Sequence, residues 1–138
     1  MNVLITSASR KVSLIRAFQQ AVADTGGGQV IAVDVSPLAA ALYRADAHFL
    51  VPRSDDEAFL PSLMDLCQRE EVSLVIPTRD EELPEFAKHR ESLEEVGIRV
   101  MVPSVDAVEI AQDKRRFAEF ASANASGTTS DFDSGIPM

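Results

Sequence analysis

The fold class predicted for this chain is α/β: a doubly wound, parallel, five-stranded sheet, expected in the order 3-2-1-4-5. Three observations predict it. Short apolar runs recur at residues 3–5, 30–33, 48–51, 74–76 and 98–102. The segments between them carry apolar residues at helical spacing. Pro37, Pro52, Pro77 and Pro103 follow the second to fifth runs, so proline punctuates the pattern instead of interrupting it. Strand–helix alternation of this kind implies a parallel sheet with right-handed crossovers.

Val3, Leu4 and Ile5 form the first strand, and residues 6–11 a polar turn. Leu14, Ala17, Phe18 and Ala21 then give one face of a helix, which the glycines at 26–28 follow. The second strand ends at Asp34. The third is closed by Pro52, and Asp55 and Asp56 favour a helix start after it. Phe59, Leu60, Leu63, Met64 and Cys67 make that helix's inner face, and Pro61 is tolerable only in its first turn. The fourth strand is stopped by Pro77. A helix opening near Glu81 is expected to bury Leu83, Phe86, Ala87, Leu93 and Val96, with Gly97 as its terminator. The fifth strand holds Ile98, Val100, Met101 and Val102. Ser104 and Asp113 can cap two further helices, the second holding Phe117 and Phe120.

Within the 138 residues, 46 % hydrophobic and 25 % charged content fits a folded domain rather than disorder. The domain is expected to span 1–123, and the polar stretch 124–138 reads as a linker or tail. A net charge of −9 argues against nucleic acid and against an anionic membrane surface, since both need a basic face. Cys67 stands alone, which leaves no disulfide framework and no thiolate metal cluster. With no apolar run of membrane length and no secretory pattern, a cytoplasmic location is expected.

Ligands of such sheets sit beyond the carboxyl ends of the strands, so the loops there are the candidate site. The turn at 6–11 could hold an anion through its hydroxyls, Arg10, Lys11 and the free amides of a helix start. Equally, Ser7 and Ser9 could cap the helix while Arg10 and Lys11 stay solvated. Asp34 occupies the place of a ribose-binding acid, but no G-x-G-x-x-G precedes it, which favours capping by Asp34 or Ser36 over a nicotinamide cofactor. Residues 77–82 gather a hydroxyl, a guanidinium and three carboxylates at the same edge. A helix start accounts for some of those acids but not for Arg79, so a polar-substrate contact is expected there. His48 and His89 have no ligand companion at helical spacing, and no self-sufficient catalytic or metal motif occurs.

The stretches ITSASRK at 5–11, AVDVSP at 32–37, LVPR at 50–53, VIPTRDEEL at 75–83 and AQDK at 111–114, in that order, resemble the N-terminal domain of ATP-grasp ligases of the carbamoyl-phosphate-synthase large-subunit-like branch. The resemblance implies a Rossmann-like pre-ATP-grasp domain that binds no dinucleotide. It implies a substrate-side role in an ATP- and Mg²⁺-dependent ligation of a carboxylate to an amine, with substrate contacts from Ser7, Arg10, Asp34, Thr78, Arg79, Asp80 and Glu81. It also implies that Lys114 contacts ATP phosphate. By the same resemblance the ATP-clamping domains belong elsewhere, in cis or on a separate chain. The sequence is then expected to be inactive alone, as a truncated piece, a gene fragment or one part of a split enzyme, binding neither ATP nor Mg²⁺ tightly. Apolar surface around Phe117 and Phe120 is expected to favour a homodimer. The alternatives are a free-standing sensor of a small metabolite and, less in keeping with the absent glycines, half of a nicotinamide-dependent oxidoreductase.

Overall fold

A computed structural model describes residues 1–101. The expectations for Ser104, Asp113, Lys114, Phe117, Phe120, the fifth strand's Val102 and the 124–138 tail lie outside the described residues.

The chain runs β1 (Asn2–Ile5), α1 (Val12–Asp24), β2 (Val30–Asp34), a 3₁₀ turn (Ala40–Arg44), β3 (Ala47–Leu50) and α2 (Phe59–Arg69). It continues through β4 (Val72–Ile76), a second 3₁₀ turn (Asp80–Glu82), α3 (Leu83–Lys88), α4 (Arg90–Glu95) and β5 (Arg99–Val100). All five strands are parallel, in the order β3-β2-β1-β4-β5. This is the expected order, and it puts the topological switch point between β1 and β4. Central strands buried on both faces read as unbroken apolar runs, as Val3, Leu4 and Ile5 do, all fully buried.

Helices cover both faces of the sheet. Ile15, Phe18 and Val22 of α1 pack with Val3, Ile5, Ala32 and Ile76 on one side. On the other, Phe59, Leu63 and Cys67 of α2 pack with Leu4, Ile31, Val33 and Val75. Phe59 and Phe86 meet edge to face, their ring centroids 6.1 Å apart. Burial pushes the Cys67 thiol up to about 12, so its thiolate, the reactive form, is suppressed at neutral pH. Pro61 stands at the third residue of α2, within the first turn, where its missing N–H costs nothing.

Two local features explain strand entries. Gly28 has φ +141°, and a Cβ there would lie 1.8 Å from the Met1 carbonyl oxygen, so only glycine fits where β2 starts beside β1. Gly97 (φ +84°) donates to Glu94 O at 3.0 Å, and Ile98 donates to Leu93 O at 2.9 Å. That double bond pattern is a Schellman stop, and it aims the chain into β5.

The single helix expected after β4 is instead a 3₁₀ turn and two short helices, separated at His89, where φ −108° and ψ 18° leave the helical region. Phe86 and Leu93 reach the core, whereas Ala87 and Val96 are turned to solvent and Leu83 is half-buried.

Candidate functional site

A cavity of about 640 Å³ opens at the carboxyl ends of β1 to β4, bordered by the β1–α1 turn, the end of β2, the β3–α2 loop and the residues after β4. It is the place that the topology reserves for a ligand.

Its inner wall is built on Glu82, which is only 1 % exposed. One carboxylate oxygen accepts the Thr6 hydroxyl and the other accepts the Ser7 hydroxyl, each at 2.7 Å. The backbone N–H of Arg79 points to the same carboxylate at 3.4 Å, closing the 3₁₀ turn in the manner of half a capping box. Thr78 completes the wall by donating its hydroxyl to the carbonyls of Thr6 (2.7 Å) and Ser7 (3.0 Å). The four bonds made by the Thr6, Ser7 and Thr78 hydroxyls join the β1–α1 turn to the chain after β4, across the switch point.

The turn itself has an unusual backbone. Ser7 (φ 48°) and Ser9 (φ 50°) both adopt the left-handed region that glycine normally supplies. Its neighbours hold it there. Asp34 accepts the Ser9 N–H at 2.8 Å, Ala41 donates to Ser9 O at 2.9 Å, and Lys11 Nζ donates to Ser7 O at 3.1 Å. The conformation of a glycine turn is therefore present without its glycines, maintained by tertiary hydrogen bonds.

The capping expectations need correction. The N-cap of α1 is Lys11, with no side-chain cap bond, so neither Ser7 nor Ser9 caps it. The following 3₁₀ turn begins after Ala39, and neither Asp34 nor Ser36 caps it. Asp34 instead accepts the N–H groups of Val35 (2.7 Å) and Ser36 (3.2 Å) with one oxygen, forming an Asx turn, while the other holds Ser9.

The outer wall is charged and open. Arg53 pairs with Asp55 at 3.1 Å and Arg79 with Glu81 at 2.8 Å, all four side chains more than half exposed. The hydrogen bond and the charge of Arg53 hold the Asp55 carboxyl below its ordinary value, and Arg79 does the same for Glu81. Both arginines are raised in turn.

Of the residues expected to meet a substrate, Ser7, Asp34, Arg79 and Glu81 border the cavity. Thr78 buttresses it from behind. Arg10 and Asp80 are exposed and lie outside the lining. Lys11 and Glu82, named in the sequence as parts of the 6–11 turn and the 77–82 segment, border it as well, and so do Arg53 and Asp55, which the sequence did not single out as contacts. For Glu82 a signal existed: an acid three residues after the residue that opens a turn is capping-box spacing. Among the described residues, no three His, Cys, Asp or Glu side chains converge as a metal-ligand set. No helix among them is long and apolar enough to cross a membrane.

Residues 3–101 match the PylC-like, N-terminal domain family. The chain belongs to that family. It is an N-terminal domain of the pre-ATP-grasp type, as the ordered motifs implied. Its fold recurs in glycinamide-RNase-transformylase T from Mycobacterium tuberculosis (20 % identity, TM-score 0.51, 88 % of this chain and 34 % of that one). The biotin carboxylase domain of a single-chain bacterial carboxylase is similar too (21 %, TM-score 0.52, 91 % and 30 %). So is the complete multifunctional pyruvate carboxylase from Rhizobium etli (16 %, TM-score 0.54, 89 % and 12 %). The chain thus spans about a third or less of the length of each of these proteins. No curated protein matches the sequence.

Proposed function

We propose that this domain is the substrate-side module of an ATP-dependent carboxylate–amine ligase, and that the cavity at the β1/β4 switch point contacts the carboxylate or amine substrate. The observation that carries this reading is the mixed-charge lining at that edge, in a chain of the PylC-like N-terminal family. Lys11, Arg53 and Arg79 supply positive charge beside Asp34, Glu81 and Glu82. Such a surface suits a small polar molecule with groups of both signs.

The described residues do not fit ATP and Mg²⁺ by themselves. They bring no carboxylate cluster together for the metal, and side chains stand at Ser7 and Ser9 where a diphosphate-hugging turn needs bare backbone. In this reading nucleotide and metal chemistry belongs to the ATP-clamping domains, in cis or on a separate chain, and Lys114 is the residue assigned to ATP phosphate by the resemblance. This domain's share is to orient the substrate, and no residue in it is assigned a catalytic role.

The test is made in the complete enzyme, by phosphate release in the presence of paired amine and carboxylate substrates. Arg79→Ala should raise the KM of one substrate about tenfold while leaving that of ATP unchanged. Lys114→Ala should weaken ATP instead. An unchanged substrate KM in Arg79→Ala removes the cavity assignment. Tight metabolite binding by this chain without partner domains would point to a sensor.

A further inference from the structure

Seven charged side chains border the cavity, and three of them have fixed duties. Glu82 holds Thr6 and Ser7, Asp34 holds three backbone amides, and Lys11 is tied to the Ser7 carbonyl. The remaining charges form two pairs of one design, an arginine held by an acid two residues later. Asp55 takes the Nε and one Nη of Arg53 at 3.1 and 3.3 Å, and Glu81 takes one Nη of Arg79 at 2.8 Å. Each guanidinium carries five N–H donors, so both have donors beyond those the acid uses. The pairs come from different loops yet share one cavity. Arg79 also lies close enough to act electrostatically against the charge of Arg53.

Exposed ion pairs contribute little to folding, because water and side-chain entropy offset the attraction. Trading one acid for another on the same guanidinium therefore costs little. An oxyanion meeting two guanidinium forks gains strong, directional hydrogen bonds that neither internal acid can make to both arginines. We propose that Arg53 and Arg79 together form a receptor for one oxyanion group of the ligand, carboxylate or phosphoryl, and that Asp55 and Glu81 are place-holders that release the guanidiniums when it binds. The proposal rests on the reading of this cavity as the substrate edge, and it names the group recognised and the side chains that recognise it. In the free protein the acids neutralise two neighbouring cations; in the complex they swing into solvent and the ligand takes their place.

The experiment titrates the full chain with inorganic phosphate in one arm and succinate in the other, at fixed pH and ionic strength. Binding is followed by the ¹⁵N signals of the arginine Nε–H groups. Arg53 and Arg79 should move together on one saturation curve, and the arm that saturates identifies the oxyanion. Arg53→Gln and Arg79→Gln should each weaken binding about tenfold. Asp55→Asn should tighten binding about threefold, and that gain should vanish when Arg53→Gln is also present. Glu81→Gln and Arg79→Gln should behave as a parallel cycle. Saturation by neither anion, movement of only one arginine, or an Asp55→Asn gain that survives in the double variant would overturn the proposal. ATP use by the complete enzyme enters none of these readouts, so the ligase reading stands or falls separately.

Discussion

The seam between β1 and β4 and the loop after β3 border the same cavity, but they are held by different physics. At the seam, a carboxylate, three hydroxyls and two carbonyls satisfy one another, with Thr6 and Glu82 fully buried and Ser7 and Thr78 half-buried. On the β3–α2 loop and at Arg79, charges pair in the open, where solvent competes for every bond. Removing a partner from the first kind of arrangement strands polar groups in the interior; removing one from the second exposes a side chain that water already reaches. The seam gives the cavity its shape. The open wall can change partners.

The sharpest way to break this contrast is Glu82→Ala, which leaves the fully buried Thr6 hydroxyl without its acceptor. It should cost about 3 kcal/mol in urea denaturation. Thr78→Val, which keeps the shape and removes the donor to two carbonyls, should cost about 1 kcal/mol. The two serines of the turn should then differ in sign. Ser7→Gly relieves its backbone but loses the bond to Glu82, for a net loss, whereas Ser9→Gly has only backbone to relieve and should be neutral or stabilising by about 0.5 kcal/mol. A Ser9→Gly domain that is clearly less stable would mean the left-handed turn is not strained.

The smallest effects belong to the open wall. Arg53→Ala should not move the denaturation midpoint measurably. The pairs' pH dependence has a defined sign: Asp55 and Glu81 are held below ordinary values of 3.8 and 4.5 by their arginines. What the pairs contribute is complete above those ordinary values and lost as pH falls through the lowered ones. Carboxyl-carbon NMR titration should place both midpoints under the ordinary values, and Arg53→Gln should return Asp55 to its own.

Much of the fold was legible because burial on both faces leaves a plain mark: 3–5, 30–33 and 74–76 are unbroken apolar runs. Gly97 was readable as a stop because only a left-handed residue ends a helix in that way. The break at His89 was not legible, since no proline or glycine marks it and the apolar spacing of Phe86 and Leu93 suits one helix or two. At the site, the sequence indicated the edge and several of the loops that border the cavity. Which acid is interior was only faintly marked. Asp80, Glu81 and Glu82 are near-identical as letters; capping-box spacing favours Glu82, but the Thr6 and Ser7 hydroxyls that hold it inward lie some 75 positions away. Asp34 was similarly opaque, because the amide it holds at Ser9 comes from another loop.

The serine-built turn after β1 has a consequence for what can approach it. A glycine turn offers nothing but amide hydrogens, and a polyanion can lie flat against it. Here side chains occupy two corners that would otherwise be bare, the Ser7 hydroxyl already engaged by Glu82, so a polyanion laid flat against the turn meets them first. What this turn admits is then set by the bulk of two side chains as much as by its amides.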